Sequence, residues 1–340
     1  MEFEQRRLLF LRGRFYAAFL NSASAHLLPL EHQFFSNITP LFGVDSLTED
    51  KVDASMRDES LTRLLSLHRA YYDLSPVVFC KAVCLVDTFI TRVKVKPKYM
   101  MCVATACYYI ASKFETGKLR PTVDSLVRLT RCGGSVADLV RMVDIVLTKL
   151  GASTVTAVGA TSATALDFLS AFLSDAGFKC IDLPTFLVRQ VENALCATNL
   201  ALFRPSCLAL ALLLSYKQNL PPACVIDSES SAFKILQNID LRDLFTIANL
   251  GKVNWADVEA CSRTIFENRT LESYSPTRTP ANPSESLRVC TTIAKNNLGV
   301  DRGGRRLGVV AKSGDTWPLS RKSVNILPFQ FSNSVALLFS

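Results

Sequence analysis

Lys113 and Glu115 stand where side chains could do work between molecules. They close the run Pro97–Glu115, PKYMMCVATACYYIASKFE, which is apolar on every face until Ser112 and Lys113. A lysine and a carboxylate held at the end of such a run can make polar contacts across an interface. They do not form part of any reactive constellation. The sequence has no glycine-rich phosphate loop, no plausible nucleophilic triad and no paired carboxylates in a polar setting, so nothing supports an enzyme. Eleven cysteines are present, an odd number, and no C-x-x-C pair occurs among them; the histidines His26, His32 and His68 lie well away from most of them. Zinc and a disulfide scaffold are therefore not expected. Cys80 and Cys84 share a helix face at i, i+4, a spacing that reads as core and not as a metal site. No metal and no cofactor is expected, and the compartment is read as a reducing one, nucleus or cytoplasm. Two dipeptides in the C-terminal stretch, Ser275-Pro276 and Thr279-Pro280, are minimal sites for proline-directed phosphorylation.

These side chains need elements to carry them. A helix that is apolar all round must be covered on all sides by protein, and the small residues Cys102, Ala104, Ala106, Cys107 and Ala111 would let neighbouring helices approach closely. The run from Pro97 is thus expected to be the central helix of a bundle. Before it, Ser55–Tyr72 repeats Leu61, Leu64, Leu65 and His68 at helical spacing, and Ser75-Pro76 pairs an N-cap with a proline in the first turn. After it, Thr122–Ser125 opens a short helix ending near Gly133-Gly134. Ser135 and Asp138 form a capping box for a longer helix running to Gly151. A charge-poor stretch, Gly151–Thr164, separates this unit from a second one. That unit has helices at Thr164–Ser174, Pro184–Leu200, an apolar one from Arg204-Pro205-Ser206 onward (CLALALLLSY), then Ser230–Asn238, Asp240–Asn249 and Asn254–Phe266. No strand-like alternation competes, so the fold class expected is all-α, with two successive five-helix lobes.

The flanks differ from this middle. Arg6–Leu20 could form an amphipathic helix, while Leu28-Pro29, Thr39-Pro40 and Gly43 are read as breaks. From Ser273 the chain is rich in Ser, Pro, Gly and Arg, a composition that cannot offset ordering entropy by burial, so disorder is expected there. The boundaries read from the sequence are an N-terminal extension 1–54, a first lobe 55–151, a second lobe 152–270 and a basic tail 271–340. The net charge is +8, but the stretch from Glu272 holds nine Lys/Arg against four Asp/Glu and the first twenty residues four Arg against two Glu. About +1 is left for the folded middle, too little for a dedicated phosphate-binding face, so nucleic acid is not expected as a partner. The nearest approach to a membrane span, Cys207–Ser215, is far short of the roughly 20 residues needed. Neither a membrane span nor a signal peptide is expected.

The first lobe resembles the cyclin box, most closely that of the cyclin G/cyclin I branch. The residues that carry the resemblance are MRDESLTRLLSL, FCKAVCLVDTFITRVKVKPKYMMCVATACYYIASKFE and LRPTVDSLVRLTRCGGSVADLVRMVDIVL, with TSATALDFL after the linker. A weaker likeness to a second cyclin repeat continues through LVRQVENALCATNLALFRPSCLALALLL, so the resemblance covers roughly Ser55–Leu214. It implies tandem five-helix cyclin-type repeats and a regulatory subunit that binds and modulates a cyclin-dependent protein kinase by favouring one conformer of it. Lys113, Glu115 and the first-helix leucines Leu61, Leu64 and Leu65 would then lie toward the partner. The family's glutamate on the fifth helix is missing: its R-M-E reads Arg141-Met142-Val143, with Asp144 one residue on and about 100° around the helix. Asp144 is the candidate substitute.

A second departure lies at Met56-Arg57-Asp58-Glu59-Ser60-Leu61, where polar residues replace the apolar patch that receives R-x-L peptides in cell-cycle cyclins. That patch is expected to be weak or absent. Arg305-Arg306-Leu307 fits R-x-L by letter only. Asp87 resembles an acid of the family's motif and is expected on the helix surface or in an intramolecular salt bridge, not in a partner contact. The cyclin G branch is also associated with protein phosphatase 2A through its B′ regulatory subunits, which makes a non-activating adaptor the alternative reading. A transcription-factor-like repeat that binds nucleic acid is a more remote one.

Overall fold

A computed structural model describes residues 23–42, 51–116, 120–161, 163–175, 183–218 and 241–273, and every regular element among them is helical. The first lobe is built from α2 (Ala54–Tyr71), α3 (Pro76–Arg92), α4 (Met100–Ser112), α5 (Val123–Thr130) and α6 (Val136–Leu150). Local chemistry starts α2, α3, α5 and α6 close to where the sequence predicts. Asp53 caps α2 by accepting from the Met56 N–H, Ser75 caps α3, and Ser135 and Asp138 form the reciprocal capping box of α6. Helix α6 ends at Gly151, whose φ of +83° is open to glycine at no steric cost.

Helix α4 is surrounded by α2, α3, α5 and α6. Ala104, Ala106, Cys107, Tyr108, Ile110 and Ala111 are completely buried, as its apolar circumference requires. Two details differ from the expectation. Pro97–Tyr99 is a 3-10 turn, with the α-helix proper beginning at Met100. Ser112 does not surface: it is wholly buried, and its hydroxyl donates to the Tyr109 carbonyl at 2.7 Å. A serine that satisfies itself on its own helix can be buried at little cost.

The linker expected at Gly151–Thr164 holds a helix, α7 (Ala152–Thr161). It lies against α3 and α6, and Gly159 is placed so that an added Cβ would meet the Phe114 ring at 2.3 Å. With few charges and no proline, this stretch becomes helical once two helices cover it. Together α7 and the next helix make Ala152–Ser174, among the described residues, a stretch long and apolar enough to cross a membrane, with an 18-residue window of mean hydropathy 1.3 that is 69% buried within the protein. Cys207–Ser215 is thus not the nearest approach to a membrane span. The side chains of Ala152–Ser174 mostly face protein core.

The second lobe comprises α8 (Ala165–Asp175), α9 (Thr185–Cys196), the single turn α10 (Thr198–Ala201), α11 (Pro205–Gln218), α12 (Leu241–Leu250) and α13 (Trp255–Ser273). The helix expected at Ser230–Asn238 lies outside the described residues, as does Arg6–Leu20. Helix α11 repeats the role of α4: every residue from Ser206 to Ser215 is buried, and α8, α9 and α12 pack around it. Val258, Cys261 and Ile265 of α13 join the same core at helical spacing. The helix expected to continue to Leu200 instead breaks at Ala197, which is extended (φ −93°, ψ 115°). The cause is tertiary. The carbonyls of Leu195 and Cys196 accept from Arg57, and the Thr198 N–H donates to Asp58, so α2 takes over the backbone groups that would have carried the helix on.

Pro29 does not break the chain. It lies inside α1 (Ala23–Phe34), which lies against α8 and α11. An internal proline costs about 3 kcal/mol in a helix. Here the helix is held by Leu27, Leu28 and Leu30 against the second-lobe core, and by Glu31. That buried carboxylate accepts from the Ser206 N–H at 2.6 Å and from the Ser206 hydroxyl at 2.9 Å, at the start of α11.

Candidate functional site

Lys113 is the C-cap of α4, half-buried, with its ammonium 4.6 Å above the centre of the Tyr109 ring one turn earlier. That cation–π contact fixes the direction of an otherwise flexible side chain. No carboxylate among the described residues pairs with it. Glu115, also half-buried, follows at the end of the same turn, and its charge acts on Lys81. Lys81 reaches from α3 to donate to the Gly159 carbonyl of α7. Burial lowers the pKa of this lysine, against the pull of Asp167 and Glu115. The sequence reading missed Lys81: on the helical period it occupies an ordinary core-edge position, and only the unforeseen α7 supplies its acceptor.

On α6 the residue at the family's glutamate position, Val143, is buried together with Met142, whereas Asp144 is exposed. One residue of displacement thus separates core from solvent. Val136 and Val140, at 41% and 45% exposure, continue the open strip of this helix toward its start. Leu61, Leu64 and Leu65 lie elsewhere than expected. At 0%, 1% and 4% exposure they face the lobe interior and have no surface to offer a partner. The three-and-four spacing that brought them forward is the spacing of a core stripe. Ser275, Thr279 and Arg305–Leu307 lie outside the described residues.

The stretch Met56–Leu61 has become part of the join between the lobes. Arg57 is completely buried and makes two parallel bonds to Asp87, Nε to Oδ1 at 2.7 Å and Nη2 to Oδ2 at 2.8 Å. It also bonds the Leu195 carbonyl at 3.2 Å. Burial opposes its charge, but Asp87 and Asp58 more than offset this and raise the guanidinium pKa. Asp87 is thus the intramolecular partner expected of it. Asp58 accepts from Arg57 at 3.0 Å, from the Thr198 N–H at 3.0 Å and from the Thr198 hydroxyl. An apolar peptide side chain would find these engaged carboxylates in its place, and burying against them brings little gain.

A second polar join lies about three helical turns on, near the end of α2. His68 Nδ1 is 2.8 Å from the Tyr108 hydroxyl, and Glu192 of α9 accepts from Arg69 at 2.7 and 2.9 Å. His68 and Tyr108 are 40 residues apart and Arg69 and Glu192 are 123 apart, so no local spacing could have signalled either pair. Between the lobes and α1 lies a cavity of about 80 Å³ lined by Phe35, Cys80, Cys84, Asp87, Ala165 and Phe203, among others. Its two acids, Glu31 and Asp87, are already hydrogen-bonded to Ser206 and Arg57. Cys80 belongs to the second-lobe core, and burial pushes the Cys84 thiol up to about 12. Both are therefore poor nucleophiles and poor ligands. No three His, Cys, Asp or Glu residues gather into a possible metal site among the described residues.

Residues 26–154 match the cyclin N-terminal domain family. The chain is similar to Cyclin-G1 of Homo sapiens, 36% identical over 101 residues, which is 29% of this chain and 34% of that one. It is 39% identical to Cyclin G of Drosophila melanogaster over 101 residues, 30% of this chain and 18% of the other. Cyclin-G2 of Mus musculus is 30% identical over 165 residues, 46% of each. The chain therefore spans about a third to a half of the length of the mammalian relatives, and less of the fly one. A viral cyclin from herpesvirus saimiri aligns with 70% of this chain and 96% of its own at 21% identity, with a TM-score of 0.48.

Proposed function

We propose that this chain, which belongs to the cyclin family and to its G branch, is a regulatory subunit that binds and modulates a cyclin-dependent protein kinase. The observation that carries this reading is Lys113: a lysine with no acidic partner among the described residues, aimed by an aromatic ring and presented at the end of the helix on which the first lobe is assembled. Its ammonium is available to carbonyls on another protein. Such a subunit acts without reacting groups of its own. It stabilises one kinase conformer by the difference between its affinities for the two.

A second reading is favoured by Val143. With an apolar residue in place of the family's interface glutamate and Asp144 turned to solvent, half of the polar contact expected with a kinase is altered. A chain that keeps the cyclin fold and loses that contact fits a non-activating adaptor, recruiting protein phosphatase 2A through a B′ subunit.

Affinity purification of the intact protein from its own cells, followed by mass spectrometry and by kinase and phosphatase assays on the eluate, separates the two. The kinase reading expects a kinase catalytic subunit with activity that disappears in Lys113→Glu, while the variant's melting temperature stays unchanged. Phosphatase 2A subunits without kinase activity would replace it by the adaptor reading.

A further inference from the structure

The segment that joins α3 to α4, residues 92–98 (RVKVKPK), holds four cations and no acid. Its backbone is pinned at both ends and in the middle. The Val93 N–H closes α3 by donating to the Phe89 carbonyl at 2.8 Å, and the Tyr99 N–H donates to the Lys96 carbonyl at 2.9 Å. Between them the Val52 N–H donates to the Val95 carbonyl at 3.1 Å, which brings Lys51 alongside. Val93 (φ −127°, ψ 126°) and Lys96 (φ −76°, ψ 144°) are extended. Side chains alternate between the two faces of such a segment. Val95 is accordingly buried, and Lys94 and Lys96 on either side of it are exposed. Arg92 and Lys98 are exposed as well.

This row of charge is not neutralised within the described residues. None of Lys51, Arg92, Lys94, Lys96 and Lys98 has a carboxylate partner among them. The described acids Asp53 and Asp87 are already in use, one capping α2 and the other holding Arg57. Lys98 lies instead 5.1 Å from the centre of the Tyr99 ring. Like charges held in a row repel one another until an anion meets them. Two features decide which kind of anion fits. Lys94 and Lys96 are about 7 Å apart, the separation of alternate residues in any other extended chain. The row is at most about 20 Å long. The half-buried Tyr99 beside it has a face covered by Lys98, so bases would find no free platform to stack on.

We propose that residues 92–98, together with Lys51, are a docking surface for an extended acidic segment of a partner protein, one that carries Asp or Glu at alternate positions. Such a segment lays successive carboxylates against Lys94 and Lys96, with Arg92 and Lys98 beyond them. The contacts are exposed ion pairs, individually weak and screened by salt, so they gain strength from number and register. The surface lies at the start of α4 and Lys113 at its end, roughly 20 Å away along 13 residues of helix. The two can be occupied together, and the proposal does not depend on a kinase as the partner at Lys113.

The test uses the full chain and a fluorescein-labelled peptide of about twelve residues, alternating Glu and Ser, long enough to span the row. Fluorescence anisotropy should show binding at about 50 mM salt that weakens several-fold at about 200 mM. Lys94→Glu with Lys96→Glu should weaken it on the order of tenfold or more, at an unchanged melting temperature because both side chains are exposed. Lys149→Glu with Arg189→Glu makes the same change in net charge at exposed positions on α6 and α9, and should have little effect. A peptide of the same composition with its glutamates in one block should bind on the order of threefold less tightly. No binding to the wild-type chain, equal binding of the two peptides, or equal losses in the two double variants would each overturn the proposal. So would tighter binding of a single-stranded DNA of about twelve nucleotides, which would make the row a nucleic-acid surface. Glu49 and Asp50 precede Lys51 outside the described residues. A several-fold gain in peptide binding by Glu49→Gln with Asp50→Asn would make the chain's own acids the occupant instead.

Discussion

Arg57 shows how far a single side chain can reach. It lies beside Met56 in the segment that resembles a docking patch, yet it is completely buried and joins α2 to Asp87 of α3 and to two carbonyls at the end of α9. Removing one member of a buried pair leaves the other charge without compensation, a loss of about 3–5 kcal/mol. Arg57→Ala and Asp87→Ala are each expected to lower stability by that order in urea unfolding. Arg57→Met with Asp87→Leu should recover part of the loss, but not all, because the Leu195 and Cys196 carbonyls stay unpaired. A double variant no more stable than either single would refute this account. Asp87 was legible only as an acid of the quoted motif, on the helix surface or in a salt bridge within the chain; its burial came with the structure. Its partner was not legible, because Arg57 lies thirty residues away: the period puts it on the stripe of Leu61 and Leu65, but nothing local says which acid would meet its charge there.

At the scale of elements, helices α2 to α6 start and stop close to where caps, prolines and glycines put them, because a cap acts within one turn of the residue that supplies it. Helix α4 was legible for the same kind of reason: only a fully enclosed helix can be apolar on all faces. Ala104 has no exposed surface at all. Ala104→Trp should therefore overpack the first lobe and cost about 1–3 kcal/mol or more, seen as a lower melting temperature with helicity retained below it. An unchanged melting temperature would place Ala104 elsewhere than in the core. Helix α1 with its internal Pro29, helix α7 and the break at Ala197 were misread, and each departs from local preference because of something distant. Pro29 is outweighed by apolar burial on the second lobe, α7 is held by α3 and α6, and Ala197 yields its neighbours' backbone groups to Arg57 and Asp58.

Across the whole molecule, the residues before the first lobe take part in the second. Glu31 of α1 accepts from the Ser206 N–H and hydroxyl at the start of α11 with its carboxylate buried. Burial raises its pKa, against the lowering by the Ser206 bonds, Arg204 and His32. An acid whose folded pKa lies above its unfolded one supports the fold fully below the unfolded value, and that support is lost as the pH rises through the folded value. Glu31→Gln cannot ionise, and its amide can both accept from the Ser206 N–H and donate to the Ser206 hydroxyl. It should melt with the wild type near pH 4 and above it near pH 7. Glu31→Ala should instead lose about 1–3 kcal/mol at either pH by orphaning the buried Ser206 groups. A Glu31→Gln protein that melts below the wild type at neutral pH would show that the charge itself is required.

Periodicity, caps and composition were enough to establish an all-α chain with two lobes built on apolar central helices, and the quoted motifs were enough to suggest its family. Those properties depend on neighbours within a turn or two, and on whether a helix has any polar face to show water. The burial of Leu61, Leu64 and Leu65, the exposure of Asp144 beside buried Val143, and the joins from Arg57 and Arg69 to α9 came only with the folded chain. Each depends on which side of a helix meets another helix, and on contacts between residues tens to more than a hundred positions apart. A helical period states that a face exists. It takes the assembled lobes to say what that face is against.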